Sequence, residues 1–371
     1  MNVSTDALNR RATNRPTIVE GNRLYASGRY AEALKTYEVV SQTHPSLAKS
    51  LRLSIVRCRR KLSLDDIDHA KRSEERGEPD TPAFFSAHPS TSVNPQIIVT
   101  MTTIRSRLRL VRKVLESLHN QKLPPARVIL NVSRTPYLLD EGINPDDELL
   151  REVSRLPLVR VNWVDNVGSY RKILPLLTQH FSQSVTTDKL FVTVDDDTIY
   201  PDFFLEMLFK EYQEQDCIIA FRGRHVELDE ATISSYDKWS WGQTKPSLNN
   251  LPTGKDGILY STKFFSRDFL ALEDAMLLAP TADDLWIKWH CALNGVPSVV
   301  LNPEACTSDY KSFPVVDFSR EYRDVSLYKM HNSGSAEGRN DITVEKLEKY
   351  YLQRYGYNLA QLIYESQALT V

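Results

Sequence analysis

The chain has 371 residues, 41% of them hydrophobic, which is enough to bury a sizeable core and, as a length prior, to form about two domains. Its 46 Lys and Arg nearly balance 48 Asp and Glu, and a net charge of −2 excludes any general attraction to nucleic acid or to an acidic membrane. Cys58, Cys217, Cys291 and Cys306 form no C-x-x-C pair, the first thirty residues lack an apolar leader core, and no stretch reaches the roughly 18 apolar residues of a membrane span. The expectation is a cytoplasmic protein with free buried thiols, peripheral attachment at the inner face of the membrane remaining open.

From Gly21 to Pro45 two helical patterns meet at Ser27-Gly28-Arg29. Gly21, Leu24, Tyr25, Gly28, Tyr30, Ala33, Tyr37 and Pro45 fall at the spacing of the tetratricopeptide repeat, which this stretch resembles. Ser46 to Leu62 continues as an amphipathic helix with Leu47, Leu51, Ile55 and Cys58 on one face. One and a half repeats cannot bury their own apolar faces, so residues 1–62 should pack on the next domain, on a second copy, or on a protein partner. Residues 63–95, charged and then Pro- and Ser-containing, read as a solvated linker.

After Pro95 strands alternate with helices: Ile97 to Thr103, a helix from Ser106 to Asn120, Ala126 to Ser133, Val159 to Val164, a turn and helix from Asn166 to Gln179, then Lys189 to Val194. Such alternation predicts an α/β fold with a mostly parallel sheet covered by helices on both faces, whose ligands sit at the carboxyl ends of the strands. Further on come a helix from Asp202 to Gln213, strands at Cys217 to Gly223, from Ile258 and at Val296 to Leu301, and helices from Ala282 to Leu293 and Thr343 to Arg354. Residues 342–371 are expected to be a C-terminal helical extension.

Asp195, Asp196 and Asp197 end the apolar run Leu190 to Val194. Three adjacent carboxylates repel one another unless they are solvated or offset by a cation, so spacing alone admits a divalent metal site or a turn that caps the next helix. Asn166-x-Gly168-Ser169-Tyr170-Arg171-Lys172 joins a glycine turn to a helix start and two cations, a phosphate-binding pattern or a solvated helix face. Thr281-x-x-Asp284 reads as a capping box. Trp239, Trp241 and Tyr236 read as an aromatic stacking wall or as core, and Gly257 as a place where backbone approaches a ligand.

Four motifs in order, Ile97 to Arg105, Val194-Asp195-Asp196-Asp197-Thr198, Gly254-x-x-Gly257-Ile258-Leu259-Tyr260 and Ala282-Asp283-Asp284-Leu285-Trp286, resemble the GT-A fold glycosyltransferases, chiefly bacterial family 2-like sugar transferases, with an exostosin-like Asp-Asp-Asp string. The resemblance covers residues 96–341 and implies transfer of a sugar from a nucleotide-diphospho-sugar, UDP-linked by preference, to an oligosaccharide, polysaccharide or glycolipid acceptor. It implies a divalent cofactor, Mn2+ or Mg2+, held by Asp197 and Asp195 with His331 as a further ligand. Donor contacts are implied for Thr102, Thr103, Arg105, Arg107, Lys172, Asp195, Asp196 and Gly257. Asp284 is the implied general base of an inverting reaction, with Asp283 in reserve and Trp239 and Trp241 on the acceptor side. A retaining reaction, an inactive repeat-bearing scaffold and a nucleotidyltransferase are the alternatives.

Overall fold

The computed structural model describes residues 21, 24–25, 28–43, 55, 58–59, 62, 95–183, 187–306, 311–317 and 339–368. The chain divides into two compact units, one of residues 1–92 with 365–371 and one of residues 93–364. In the first, helix α1 (Tyr30–Thr43) follows a turn at Gly28, whose φ of +76° a side chain would strain. Ala33, Tyr37 and Val40 are buried along one face of α1. A Cβ at Gly21 would overlap the Tyr37 ring, so glycine permits that close approach.

The second unit is built on a seven-stranded sheet. Its strands are β1 (Ile97–Thr102), β2 (Arg127–Val132), β3 (Val159–Trp163), β4 (Leu190–Thr193), β5 (Ile218–Ala220), β11 (Ile258–Ser261) and β12 (Ser298–Val300), in the order β12-β5-β11-β4-β1-β2-β3. Every pairing is parallel except those of β11, which runs against both β4 and β5. The short strands β6 (Gly223–His225), β7 (Leu228–Asp229), β8 (Thr232–Ile233), β9 (Ser240–Trp241) and β10 (Asn250–Pro252) lie between β5 and β11 in sequence. Of these, β10-β6-β9 make a small antiparallel sheet.

Alternation along each strand sends successive side chains to opposite faces, and both faces are covered as the sequence predicts. Val99, Val128, Val192, Ile219 and Leu259 share one apolar cluster with helices α2 (Leu108–His119), α3 (Glu148–Ser154) and α5 (Phe204–Gln215). Helix α2 contributes Leu108, Val111, Leu115 and Leu118 at helical spacing, each burial stabilising by roughly 1.5–3 kcal/mol. On the opposite face Phe191 stacks on Tyr260 at 5.4 Å, and Phe265 stacks on His290 of α7 (Asp283–Leu293) at 6.1 Å. Helices α4 (Leu174–Ser182) and α6 (Leu272–Leu278) precede α7 in the chain. Helix α8 (Arg339–Tyr355) packs on α7, with Trp289 Nε1 donating to Glu348 Oε1 at 2.7 Å, and Glu348 also accepts from the first amides of α9 (Leu359–Ala368).

Cys58, Cys217 and Cys291 are buried thiols, and among the described residues they form no disulfide and no helix is long and apolar enough to cross a membrane. Lys288 of α7 is 2% exposed, and its ammonium has no hydrogen-bond partner among the described residues. Burial pushes it down to about 7 from an unfolded value near 10.5. Because the folded value is the lower one, the unfolded chain binds the extra proton between those limits, and stability should climb as pH rises through them. Lys288→Met should therefore raise stability at pH 7 by on the order of 2 kcal/mol and flatten that slope, as measured by chemical denaturation at pH 7 and 9.

Candidate active site

The site lies where β1 and β4 end side by side at the carboxyl edge of the sheet. Strand β4 stops at Thr193, Val194 N–H donates to Thr100 O of β1 at 3.2 Å, and the three aspartates follow. Asp195 N–H donates to the Tyr200 hydroxyl at 2.8 Å, and Tyr200 is buried among Phe204 and Phe313. The far side of the aspartate strip is lined by residues 312–316. Val316 N–H donates to Asp197 O at 2.7 Å and Ile199 N–H to Pro314 O at 2.8 Å. That segment is held in turn by Asp256, whose carboxylate accepts from Phe313 N–H at 3.2 Å and from the Ser312 hydroxyl. Helix α5 begins only at Phe204, with Phe203 at its N-cap and no side-chain cap, so the aspartates do not serve as a helix cap.

The three carboxylates have separate partners. Asp195 pairs with Lys172. Asp196 is buried, accepting from Thr103 Oγ1 at 2.7 Å and from Arg107 Nη1 at 3.0 Å. Asp197 is the most open, its side chain 32% exposed, with Arg107 Nη1 at 3.3 Å. Burial first, then Asp196 and Asp195, push the Asp197 carboxyl up to about 6, against the pull of Arg107 and Lys172. For Lys172, burial works to lower the ammonium, but Asp195 and Asp283 outweigh it and hold it above its usual value.

Lys172 is therefore paired with Asp195 and also feels the charge of Asp283 at the head of α7. Asp283 and Asp284 open that helix, Asp284 Oδ1 accepting from Leu285 N–H at 2.9 Å. The N-cap is Ala282, without a side-chain cap, so Thr281 and Asp284 do not form the expected capping box. Burial raises the Asp283 carboxyl while Lys172 draws it down; burial first and Asp283 next push Asp284 up to about 7. A half-buried carboxyl poised there exchanges a proton near neutral pH.

Several expected residues sit elsewhere. Arg105 turns away, its side chain 53% exposed and 4.0 Å from Asp147, while Arg107 enters the cluster in its place. Thr102 Oγ1 donates to Asn131 O of β2 at 2.8 Å, away from the aspartates. The Cβ position of Gly257 meets the Phe204 ring, and its φ is +90°, so core packing and backbone conformation explain this glycine. The glycine beside the charges is Gly254, whose Cβ position lies 3.9 Å from Lys172 Nζ. Trp239 is 3% exposed, donates from Nε1 to Ser234 O at 2.9 Å and packs on Tyr236, so it is core and no stacking wall. Trp241 is 51% exposed on β9. His331 lies outside the described residues. Sequence reasoning missed Tyr200, Asp256 and Gly254, although the last two stand inside the Gly254 to Tyr260 motif.

Among the described residues no three carboxylate, imidazole or thiolate side chains converge as a cage for a metal ion. The surplus negative charge on Asp197 nonetheless fits a hard divalent cation held by one or two carboxylates, with its other positions left to water and phosphate oxygens.

No family model and no curated protein matches this chain. Among solved structures it is similar to the mannosyltransferase PcManGT from Pyrobaculum calidifontis in complex with GDP-Man and Mn2+, at 13% identity over 69% of this chain and 66% of that one, just under two thirds of its length, with a TM-score of 0.36. It is also similar to S. aureus TarS 1-349, at 11% identity, 74% and 91% coverage and a TM-score of 0.35. A third likeness is to 4-diphosphocytidyl-2C-methyl-D-erythritol synthase, at 11% identity, 62% and 97% coverage and a TM-score of 0.36. These distant likenesses assign no residue and no substrate to this chain.

The two glycines give a direct check on the packing. Gly257→Ala should cost about 2 kcal/mol or more, because a methyl group meets Phe204 in a left-handed conformation. Gly254→Ala, with ordinary space around it, should leave the melting temperature close to that of the parent. Paired thermal denaturation curves decide it.

Proposed function

We propose that the chain is a metal-dependent glycosyltransferase that moves a sugar from a nucleotide-diphospho-sugar, by preference UDP-linked, to a glycan acceptor with inversion. One observation carries this reading: Lys172, paired with Asp195 of a three-carboxylate strip at a parallel-sheet edge, also feels the charge of a second carboxylate pair, in which Asp284 is pushed up to about 7. A strip of carboxylates with adjacent cations suits a donor diphosphate and its counter-ion, and a separate raised carboxyl suits proton transfer from a hydroxyl. The order of the four motifs that resemble GT-A enzymes supports the same assignment.

Asp197 and Asp195 would hold the divalent ion, which when bound offsets the negative charge that develops on the leaving diphosphate. Lys172 and Arg107 supply further positive charge at that edge, and Asp196, anchored by Thr103 and Arg107, keeps the strip rigid. Asp284 takes the proton of the acceptor hydroxyl as its oxygen bonds to the anomeric carbon. The bond from that carbon to the diphosphate oxygen breaks, and the nucleoside diphosphate leaves with the electron pair. Trp241, exposed on β9, is the remaining aromatic candidate for an acceptor contact. The N-terminal helical segment, where Gly21 meets the Tyr37 ring and Ala33 is buried, is assigned to protein contact or self-association.

Screening nucleotide sugars with Mn2+ tests the activity, with nucleoside diphosphate as the expected product. Pyrophosphate released from a nucleoside triphosphate and a sugar phosphate, with no transfer from nucleotide sugars, would instead make the protein a nucleotidyltransferase. Asp284→Asn should lower transfer roughly 100- to 10,000-fold, while Asp197→Ala should abolish Mn2+-dependent donor binding in calorimetry. If both variants transfer like the parent, the site is misassigned.

The pH profile is a separate check. With its carboxyl near 7, Asp284 is protonated and idle in acid, so kcat/KM should fall about tenfold per pH unit below that value and level off above it. The residual activity of Asp284→Asn should lack that limb.

A further inference from the structure

Arg171 and Asp140 form a salt bridge of 2.9 Å with both side chains 2% exposed. Arg171 is one of the two cations of the expected phosphate-binding pattern but is buried here, and Asp140 is not among the residues expected from the sequence. Isolating two charges from water is costly, and their mutual attraction offsets that cost only with good geometry and further hydrogen bonds. Asp140 has such bonds, while Arg171 Nη1 meets it as an ion pair without a hydrogen bond, and burial lowers the guanidinium in spite of Asp140. Asp140 Oδ2 also accepts from Asn166 Nδ2 at 3.0 Å, and its Oδ1 accepts from Gly142 N–H at 3.0 Å. Arg171 Nε donates to Gly168 O at 3.1 Å, and Asn166 Nδ2 reaches Thr135 O at 2.7 Å. The pair thus ties the loop after β2 to the turn after β3, at the carboxyl edge of the sheet.

The next residue along that turn is Lys172. Its carbonyl accepts from Thr100 Oγ1 of β1 at 2.6 Å, and Thr100 accepts from Asn131 Nδ2 of β2 at 3.0 Å. Asn131 Oδ1 in turn accepts from Asn162 Nδ2 of β3 at 2.8 Å. The turn is therefore held on one side by a polar row across three strands and on the other by Asp140. A hydrophobic pair would fill the same space without the cost of desolvation, but it would not fix the turn through directed bonds.

We propose that Asp140 is a positioning residue: through Arg171 it locks the Gly168–Lys172 turn so that the Lys172 ammonium stands against Asp195. This rests on the donor-site reading given above, in which Lys172 meets the diphosphate. Asp140 itself touches neither the aspartate strip nor the head of α7 in any described bond.

The experiment compares the parent chain with Asp140→Asn, Asp140→Glu and Arg171→Lys. Lysine acetylation by an amine-reactive ester is followed by peptide mass spectrometry, well below the melting temperature of each variant. Lys263, paired with Asp216, is the internal control. Asp140→Asn and Arg171→Lys should acetylate Lys172 several-fold faster with Lys263 unchanged, and UDP affinity in the presence of Mn2+ should fall about tenfold, with partial recovery in Asp140→Glu. Arg171→Lys keeps both charges and carries the test if Asp140→Asn does not fold. Unchanged Lys172 acetylation overturns the proposal even if the melting temperature falls, because a purely structural pair predicts that result. Faster acetylation with undiminished UDP affinity also overturns it. A parent that binds no UDP overturns the donor reading instead, while acetylation still decides whether Asp140 places Lys172.

Discussion

The mutual repulsion of Asp195, Asp196, Asp197, Asp283 and Asp284 is the constraint on which the rest of this structure depends. Carboxylates brought together at one edge of a sheet and partly removed from water must be protonated, paired or supplied with a cation. Asp196 is paired deep in the strip by Arg107 and Thr103; Asp195 takes Lys172; Asp197 and Asp284 are left with raised values. This graded distribution separates an anchored carboxylate, Asp196, from two that are held above their usual range, Asp197 and Asp284. The differences follow from environment, since all five side chains are chemically the same.

The sheet is arranged to sustain that cost. Its apolar face is filled by α2, α3 and α5, and its other face carries an aromatic cluster against α7 together with the polar row of Thr100, Asn131 and Asn162. The same polar row supports the turn that carries Lys172. Core packing and site geometry are therefore one structure on this side of the sheet. Helix α7 holds Asp283 and Asp284 at its head while Trp286 and Trp289 lock its flank against α8.

Much of this was legible from patterns of side-chain spacing. The alternating runs of Ile97 to Thr102 and Leu190 to Thr193, the helical spacing of α2, and the fold class are all found as expected. The small sheet of β6, β9 and β10 was not legible, because two- and three-residue strands carry too short a period to register. Among the arginines, Arg105 and Arg107 are indistinguishable by type and nearly so by position. A difference of two residues in a short 3-10 helix sends one toward Asp147 and the other into the cluster. For Gly257 and Trp239 a ligand contact was expected of residues that the core requires.

By itself the sequence determined that a β-branched strand ends in three carboxylates, that another acidic pair opens a later helix, and that a parallel sheet lies between them, because strand and helix periods and local charge are properties of neighbours along the chain. Only the tertiary structure decided which charges meet. Lys172 reaches Asp195 across 23 residues, Arg107 reaches Asp196 across 89, and the buried pair of Asp140 and Arg171 joins two separate loops. Such partnerships depend on strand order and on the depth at which each side chain leaves water, and neither is encoded in spacing along the chain.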